Sequence, residues 1–171
     1  STSRRQRQMC IRDRYTLGID SGSTSTNAVI LDENRQIKAF SVVRTGAKSS
    51  QSADAALADV LKKAGLDRED ISLIVSTGYG RVSIPFADKN VTEISCHGKG
   101  AHLLFPDVHT ILDIGGQDSK AIRLNDNGEV ADFVMNDKCA AGTGRFLEMM
   151  ARSLEISIDE LGPVSLQSKE N

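Results

Sequence analysis

A repeat within the chain constrains its fold more than any other feature of the sequence. The stretch "TLGIDSGSTSTNAVILDENRQIKAF" (residues 16–40) aligns without a gap with "HTILDIGGQDSKAIRLNDNGEVADF" (residues 109–133). Asp20 falls on Asp113 and Gly22 on Gly115, and apolar residues coincide further along both copies. Agreement at both turn and core positions predicts two similarly folded lobes, each opening with a β-hairpin.

Alternating strand and helix patterns follow the first hairpin and predict an α/β fold. Strands are expected in "YTLGID", "STNAVILD", "QIKAFSVV" and "ISLIVSTG", with a helix over residues 52–64 that Ser52 caps and Gly65 ends. A shorter strand is expected in "NVTEIS" and a helix in "HGKGAHLLF". The first lobe is assigned to residues 15–106, and residues 107–171 are assigned to an incomplete second lobe.

Composition excludes several classes of protein. The formal net charge is -2, which gives no general attraction to nucleic acid. Apolar runs all fall short of the roughly 18 residues that cross a bilayer. Three cysteines without disulfide-like spacing fit a reducing compartment. These features predict a cytoplasmic protein that binds neither nucleic acid nor membranes. The basic residues 1–14, which include Cys10, lack periodicity and are expected to be a disordered or non-native tail.

Each copy of the repeat carries an aspartate at a strand end, followed by a turn of small residues: "DSGST" at residues 20–24 and "DIGGQD" at residues 113–118. Backbone N–H groups in such a turn can cradle phosphate oxygens, and carboxylates suit Mg²⁺. Either turn alone would be an ordinary hairpin turn. Two at equivalent places favour a nucleotide site, with Asp20 and Asp113 as magnesium ligands. The candidate phosphate-binding residues are Gly22, Ser23, Thr24, Gly115, Gly116 and Gln117.

The paired turns resemble the two phosphate motifs of the actin, heat-shock ATPase and sugar kinase superfamily. That resemblance implies two ribonuclease-H-like lobes that close on ATP. It does not distinguish a kinase from an ATPase. The sequence has no "GxxxxGK[ST]" or "GxGxxG" motif, which excludes P-loop and Rossmann sites.

Three further stretches are more specific. They are "STGYGR" (residues 76–81), "EISCHGKGAHLLFPDVHTILDIGGQDSK" (residues 93–120) and "MNDKCAAGTGRFLEMMA" (residues 135–151). Together they resemble the ATP-dependent activators of 2-hydroxyacyl-CoA dehydratases, a family that includes the ATPase subunits of benzoyl-CoA reductases. The resemblance extends over about residues 15–162, and the stretch that contains Cys139 is specific to this branch.

The resemblance implies a homodimer with one 4Fe-4S cluster at the subunit interface, to which each subunit gives two cysteines. Cys139 matches the first of them. The second cysteine and the adenosine motif are expected beyond Asn171, so the chain by itself is expected to bind nucleotide weakly and to be inactive. The implied reaction is ATP-driven transfer of one electron from ferredoxin or flavodoxin to a dehydratase. Asp113 is then expected to position magnesium and water, Asp20 to assist it, and Gln117 or Asp118 to orient the attacking water.

The residues around Cys139 suit an anionic cluster. A thiolate just before a helix start lies in the positive end of the helix dipole, and Gly142, Thr143 and Gly144 are expected to supply amides to the bound cofactor. Without the surrounding motif, Cys139 would be interpreted as a small packing residue. Cys96 is interpreted as structural.

Two alternatives are open at this point. A small-molecule kinase of the same superfamily would transfer the γ-phosphate to a sugar or acid hydroxyl and contain no iron. A non-enzymatic nucleotide-sensing module would bind ATP and use Cys139 only for packing.

Overall fold

The computed structural model describes residues 14–169, so the predicted basic tail lies outside the described residues except for Arg14. The chain divides into two units, with the boundary between Cys96 and His97.

The first unit is a five-stranded sheet covered on one face by a helix. Its strands are β1 (Tyr15–Ser21), β2 (Ser25–Leu31), β3 (Ile37–Arg44), β4 (Ile71–Thr77) and β5 (Lys89–Asn90), in the order β3-β2-β1-β4-β5. The first three strands pair antiparallel, whereas β4 runs parallel to both β1 and β5. Short 3-10 turns occupy Arg68–Asp70 and Arg81–Ser83.

The core of this unit follows from the period-two pattern of its strands. Leu17 and Ile19 of β1 and Ala28 and Ile30 of β2 are buried, and their strand neighbours are less so. The helix α1 (Ser49–Ala64) places Ala53, Ala56 and Val60 in the same cluster. Gly65 ends α1 with a left-handed conformation at φ 67°, as predicted from the sequence.

The second unit is built on a three-stranded antiparallel meander of β6 (Thr110–Ile114), β7 (Ser119–Leu124) and β8 (Val130–Asn136). The helix α2 (Glu93–Leu104) spans the boundary between the units, and α3 (Gly144–Ser153) and α4 (Ile158–Ser165) follow the meander. Ser157 and Glu160 form a capping box at the start of α4. Hydrogen bonds from the hydroxyl and N–H of Ser157 lower the pKa of the Glu160 carboxyl.

The repeat is confirmed at the level of strand register. Asp20 pairs with Asn27 across the first hairpin, and Asp113 pairs with Lys120 at the equivalent place in the second. Both meanders also carry a register shift at the same point, Ile30/Leu31 in one and Arg123/Leu124 in the other. The two copies therefore share backbone geometry as well as sequence pattern.

Three predicted elements differ from the structure. The helix predicted from Ser52 begins at Ser49, because the Ser52 hydroxyl instead accepts the N–H of Gly46 at 2.9 Å and lies inside the helix. The strand predicted in "NVTEIS" is wrong beyond Asn90, because β5 is limited to Lys89–Asn90. The helix predicted from His97 begins earlier, at Glu93. The Thr92 hydroxyl accepts the N–H of Ser95 at 3.4 Å, and this local bond favours starting α2 at Glu93. Within residues 14–169, no helix combines the length and apolar character needed to span a bilayer.

Candidate functional site

The first turn connects β1 to β2 and is held by its own backbone. The N–H of Gly22 donates to the carbonyl oxygen of Ser25 at 3.0 Å. Thr45 holds the turn from the side, because its hydroxyl donates to the Gly22 oxygen at 2.9 Å and its N–H donates to the Thr24 oxygen at 3.0 Å. Ser23 and Thr24 are exposed at the tip of the turn and accessible to a ligand.

The glycine-containing loop after β4 packs directly on the first turn. The N–H of Gly80 donates to the Ser21 oxygen at 2.9 Å, and Gly78 has a φ of +83°. A Cβ atom at Gly78 would lie 2.6 Å from the Ser21 oxygen and closer still to the Asp20 carboxylate. The Arg81 guanidinium braces the loop by donating to the Gly78 oxygen at 2.9 Å. The motif "STGYGR" signalled this loop, but its contact with Asp20 was not predicted.

Asp20 and Thr77 are register partners on the parallel strands β1 and β4. Both line a cavity of about 300 Å³, together with Asn27 and the apolar side chains of Phe40, Val42 and Val75. The Thr77 Oγ1 and Ser21 Oγ atoms are buried and have no hydrogen-bond partner within the described part of the chain. Buried hydroxyls of this kind usually bind water or a ligand, so the end of β1 has polar groups suited to a bound molecule.

The second turn repeats the first in its backbone. The N–H of Gly115 donates to the Asp118 oxygen at 2.9 Å, as Gly22 does to Ser25. Gly116 is half-buried and Gln117 is exposed. The turn that contains the predicted residues Gly115, Gly116 and Gln117 is therefore closed by the same backbone hydrogen bond as the first turn.

A buried ion-pair cluster, missed in the sequence, distinguishes the second turn. The ammonium of Lys120 lies 2.8 Å from Asp118 Oδ2 and 3.2 Å from Asp113 Oδ2. The side chains of Lys120, Asp118 and Asp113 are 3%, 10% and 25% exposed. The His97 Nδ1 atom approaches Asp113 Oδ2 to 3.3 Å without forming a hydrogen bond to it. The signal for this cluster was the hairpin register, which places a lysine opposite Asp113.

Cys139 is exposed, and the side-chain amide of Asn136 holds its backbone. The N–H of Cys139 donates to Asn136 Oδ1 at 3.1 Å, and Asn136 Nδ2 donates back to the Cys139 oxygen at 3.0 Å. Asn136 was not predicted from the sequence, although an asparagine three residues before a loop residue is a common turn-forming pattern. The pair fixes the backbone that carries the thiol.

The loop after Cys139 is hydrogen-bonded to the second turn. The N–H groups of Gly144 and Arg145, at the start of α3, donate to the oxygens of Gly115 and Gly116 at 2.8 and 3.0 Å. The hydroxyl of Ser119 donates to the Gly142 oxygen at 2.8 Å. Two hydrogen bonds thus connect the second turn to the first residues of α3, and a third connects the start of β7 to the loop between Cys139 and α3.

Thr143 is fully buried and acts as the N-cap of α3. Its hydroxyl donates to the Ala140 oxygen at 2.6 Å and accepts the N–H of Phe146 at 3.4 Å. The amides of Thr143 and Gly144 are therefore engaged within the chain. A direct role of Gly142, Thr143 and Gly144 in holding a cofactor stays a prediction.

Among residues 14–169, no group of three or more His, Cys, Asp or Glu side chains is arranged to hold a metal ion. A cavity of about 440 Å³ lies next to the Cys139 loop and is lined by Asp113, Lys120, Asn136 and Gly142, among others.

Comparison with known proteins gives a consistent result. The BadF/BadG/BcrA/BcrD ATPase family matches residues 17–171. The activator of lactoyl-CoA dehydratase from Anaerotignum propionicum is 54% identical over 156 residues, which are 91% of this chain and 60% of that protein.

Two solved structures have the same fold at high identity. The activator of 2-hydroxyisocaproyl-CoA dehydratase from Clostridium difficile, solved with bound ADPNP, superposes with a TM-score of 0.82 at 44% identity, over 92% of this chain and 58% of that one. Component A of the (R)-2-hydroxyglutaryl-CoA dehydratase from Acidaminococcus fermentans superposes with a TM-score of 0.84 at 45% identity, over 92% of this chain and 61% of that one. The predicted α/β fold class is confirmed. The chain spans about three fifths of the length of these relatives.

Proposed function

The chain belongs to the BadF/BadG/BcrA/BcrD ATPase family, and from this we propose that the whole protein is an ATP-hydrolysing iron–sulfur activator. It delivers a low-potential electron to a 2-hydroxyacyl-CoA dehydratase, or to a partner of the benzoyl-CoA reductase type. The 54% sequence identity with a dehydratase activator, which extends over 91% of this chain, favours this function over a small-molecule kinase.

The connection between the second turn and the Cys139 loop is the observation that carries the proposal. Gly144 and Arg145 donate to the carbonyls of Gly115 and Gly116. A shift of this turn on nucleotide hydrolysis would therefore pull directly on the first turn of α3. Cys139 lies a few residues before that helix, so the thiol would be displaced or turned. This is a short mechanical path from a phosphate-sensing turn to an electron-transfer ligand.

The residues of both turns fit a magnesium nucleotide. A Cβ atom at Gly78 would meet the Asp20 carboxylate and the Ser21 backbone, and one at Gly115 would meet the Asp118 carboxylate, so both glycines allow a carboxylate to lie against the backbone. The Thr77 hydroxyl beside Asp20 has no partner within the described residues. Carboxylates with phosphate oxygens and water are the ligand set that Mg²⁺ prefers. Asp20 and Asp113 would hold the ion, which would neutralise charge on the phosphates. That one nucleotide contacts both turns stays a prediction.

The residues also fit a shared iron–sulfur cluster, with Cys139 as one thiolate ligand on an exposed loop. An exposed ligand suits a cluster completed by groups outside the described residues, including those of a second subunit. When bound, the cluster would supply a one-electron redox centre. Asn136 holds the backbone of Cys139, and Thr143 starts the helix behind it.

Two residues of the second turn are candidates for orienting the water molecule that attacks the nucleotide phosphate during hydrolysis. Asp118 is 10% exposed and is bound to the ammonium of Lys120. Gln117 is exposed at the tip of the same turn, and its side chain is a neutral amide that can both donate to and accept from a water molecule. We therefore assign the orientation of the water to Gln117, and the positioning of magnesium to Asp113.

The proposed assembly is a homodimer in the cytoplasm that accepts its electron from ferredoxin or flavodoxin. The test uses the whole protein, purified without oxygen and mixed with a reduced donor and a 2-hydroxyacyl-CoA dehydratase. We expect dehydratase activation with ATP and none with ADPNP, because only hydrolysis moves the turn. Sugar- or acid-dependent ADP release by an iron-free protein would instead identify a kinase. Nucleotide binding without hydrolysis or iron would identify a sensing module.

Replacing Asn136 by alanine is expected to weaken retention of iron by roughly tenfold, as is typical when a residue that orients a metal ligand is removed. The two hydrogen bonds to the Cys139 backbone would be lost. The measurement is the rate of iron loss to a chelator. Asn125→Ala is the matched control, because the Asn125 side chain similarly accepts the N–H groups of Asn127 and Glu129 in the β7–β8 turn. Equal iron loss in both variants would contradict the assignment.

A further inference from the structure

Lys120 is the feature of the second turn that nucleotide binding leaves unexplained. Its side chain is 3% exposed, and its ammonium bridges Oδ2 atoms of Asp113 and Asp118 at 3.2 and 2.8 Å. Burying an ammonium removes its hydration and is tolerated only with close negative partners. The ammonium therefore lies between the two carboxylates that the second turn offers to a cation.

The first copy of the repeat provides an internal comparison. The residues equivalent to Lys120 and Asp118 are Asn27 and Ser25, and Asn27 Nδ2 lies 3.4 Å from Ser25 Oγ. The backbone bond that closes the turn is nevertheless the same, at 3.0 Å in the first copy and 2.9 Å in the second. A neutral pair is therefore sufficient to build this turn, so the charged pair is an addition specific to the second turn.

We propose that Lys120 is a built-in counter-ion that keeps magnesium from binding to Asp113 and Asp118 until a nucleotide arrives with it. This inference rests on the proposed function, because it concerns the magnesium that the second turn is proposed to bind. Lys120 acts through the two carboxylates and is a positioning residue.

The charges of the cluster explain the effect. The ammonium offsets one of the two carboxylate charges and lies between them, so these three groups present a divalent ion with a net charge of -1 instead of -2 and with the space beside both Oδ2 atoms already occupied. Nucleotide phosphates bring further negative charge and their own oxygen ligands. The phosphates then balance the charge of the magnesium that enters with them, so the ammonium does not have to be displaced.

The test measures Mn²⁺ binding to the whole, nucleotide-free protein from the EPR signal of free Mn²⁺. We expect weak binding in the wild type and an affinity roughly ten- to a hundredfold higher in Lys120→Met, because both carboxylates lose their counter-ion. Lys120→Gln retains a hydrogen-bond donor without the charge and is expected to show the same gain. Lys120→Arg retains the charge and is expected to resemble the wild type.

Several outcomes would overturn the inference: tight Mn²⁺ binding by the nucleotide-free wild type, no gain in folded Lys120→Met and Lys120→Gln, or an equal gain in Lys120→Arg. If circular dichroism shows that Lys120→Met does not fold, the Mn²⁺ affinity of Lys120→Gln decides the test. A purely structural role would lower the unfolding temperature without raising Mn²⁺ affinity. Failure of the proposed function would be recognised separately, as wild-type protein that does not activate a dehydratase with ATP, whatever the Mn²⁺ result.

Discussion

Replacing Cys139 by serine in the whole protein is expected to abolish the proposed cluster, so that about four irons per proposed dimer fall to none. Serine is a poor ligand for cluster iron, and in the proposed homodimer one ligand would be lost from each subunit at once. The visible absorption of the cluster and all ATP-dependent activation of the dehydratase should disappear together. Iron and acid-labile sulfide are measured after purification without oxygen.

Cys96→Ser is the matched control for this variant. Cys96 is half-buried on α2 and lines the cavity beside β1 rather than the Cys139 loop. It should retain full iron content. A Cys139→Ser protein with undiminished iron, or equal loss from both variants, would exclude Cys139 as a ligand and with it the proposed route of the electron.

Replacing Gly78 by alanine is expected to destabilise the first unit by about 3 kcal/mol and to weaken binding of Mg-ADP by roughly a hundredfold or more. Gly78 has a φ of +83°, and a Cβ atom there would lie 2.6 Å from the Ser21 oxygen. The loop or the end of β1 must move, which displaces the Asp20 carboxylate. The midpoint of urea unfolding and the Kd for Mg-ADP in the whole protein measure the two effects.

Gly65→Ala separates backbone strain from steric conflict. Gly65 has a similar φ of +67°, but nothing lies within 4 Å of the position of its Cβ atom. Its alanine variant should lose about 1 kcal/mol, from the left-handed conformation alone, and bind nucleotide normally. If the two variants bound Mg-ADP equally well, the loop after β4 would have no part in the nucleotide site.

Features encoded by neighbouring residues were predictable. The alternating apolar residues of β1 and β2 determine which face is buried, and the small residues after Asp20 and Asp113 determine where each hairpin turns. The gapless repeat then fixed the register of the second meander from the first. Gly65 ended its helix where expected, because the left-handed cap is a property of one residue.

Element starts were less predictable, because competing local hydrogen bonds differ little in energy. Ser52 has the chemistry of an N-cap, yet its hydroxyl binds the Gly46 N–H and the helix begins at Ser49. In "NVTEIS" the β-branched residues favour a strand, but Thr92 caps the start of α2 and only Lys89–Asn90 pairs with β4.

The sequence by itself therefore determined the family, the two meanders, the acidic strand ends and the place of Cys139 before a helix. The position of Lys120 between Asp113 and Asp118 follows from the hairpin register, which pairs Lys120 with Asp113. Tertiary structure alone decided two contacts between residues far apart in the sequence: the loop at Gly78 against Asp20, and the start of α3 bonded to Gly115 and Gly116. The physical reason is the distance along the chain over which each kind of interaction acts. Periodicity and turn chemistry act over a few residues, whereas these contacts depend on the parallel pairing of β1 with β4 and on how a helix returns to a turn far behind it in the chain.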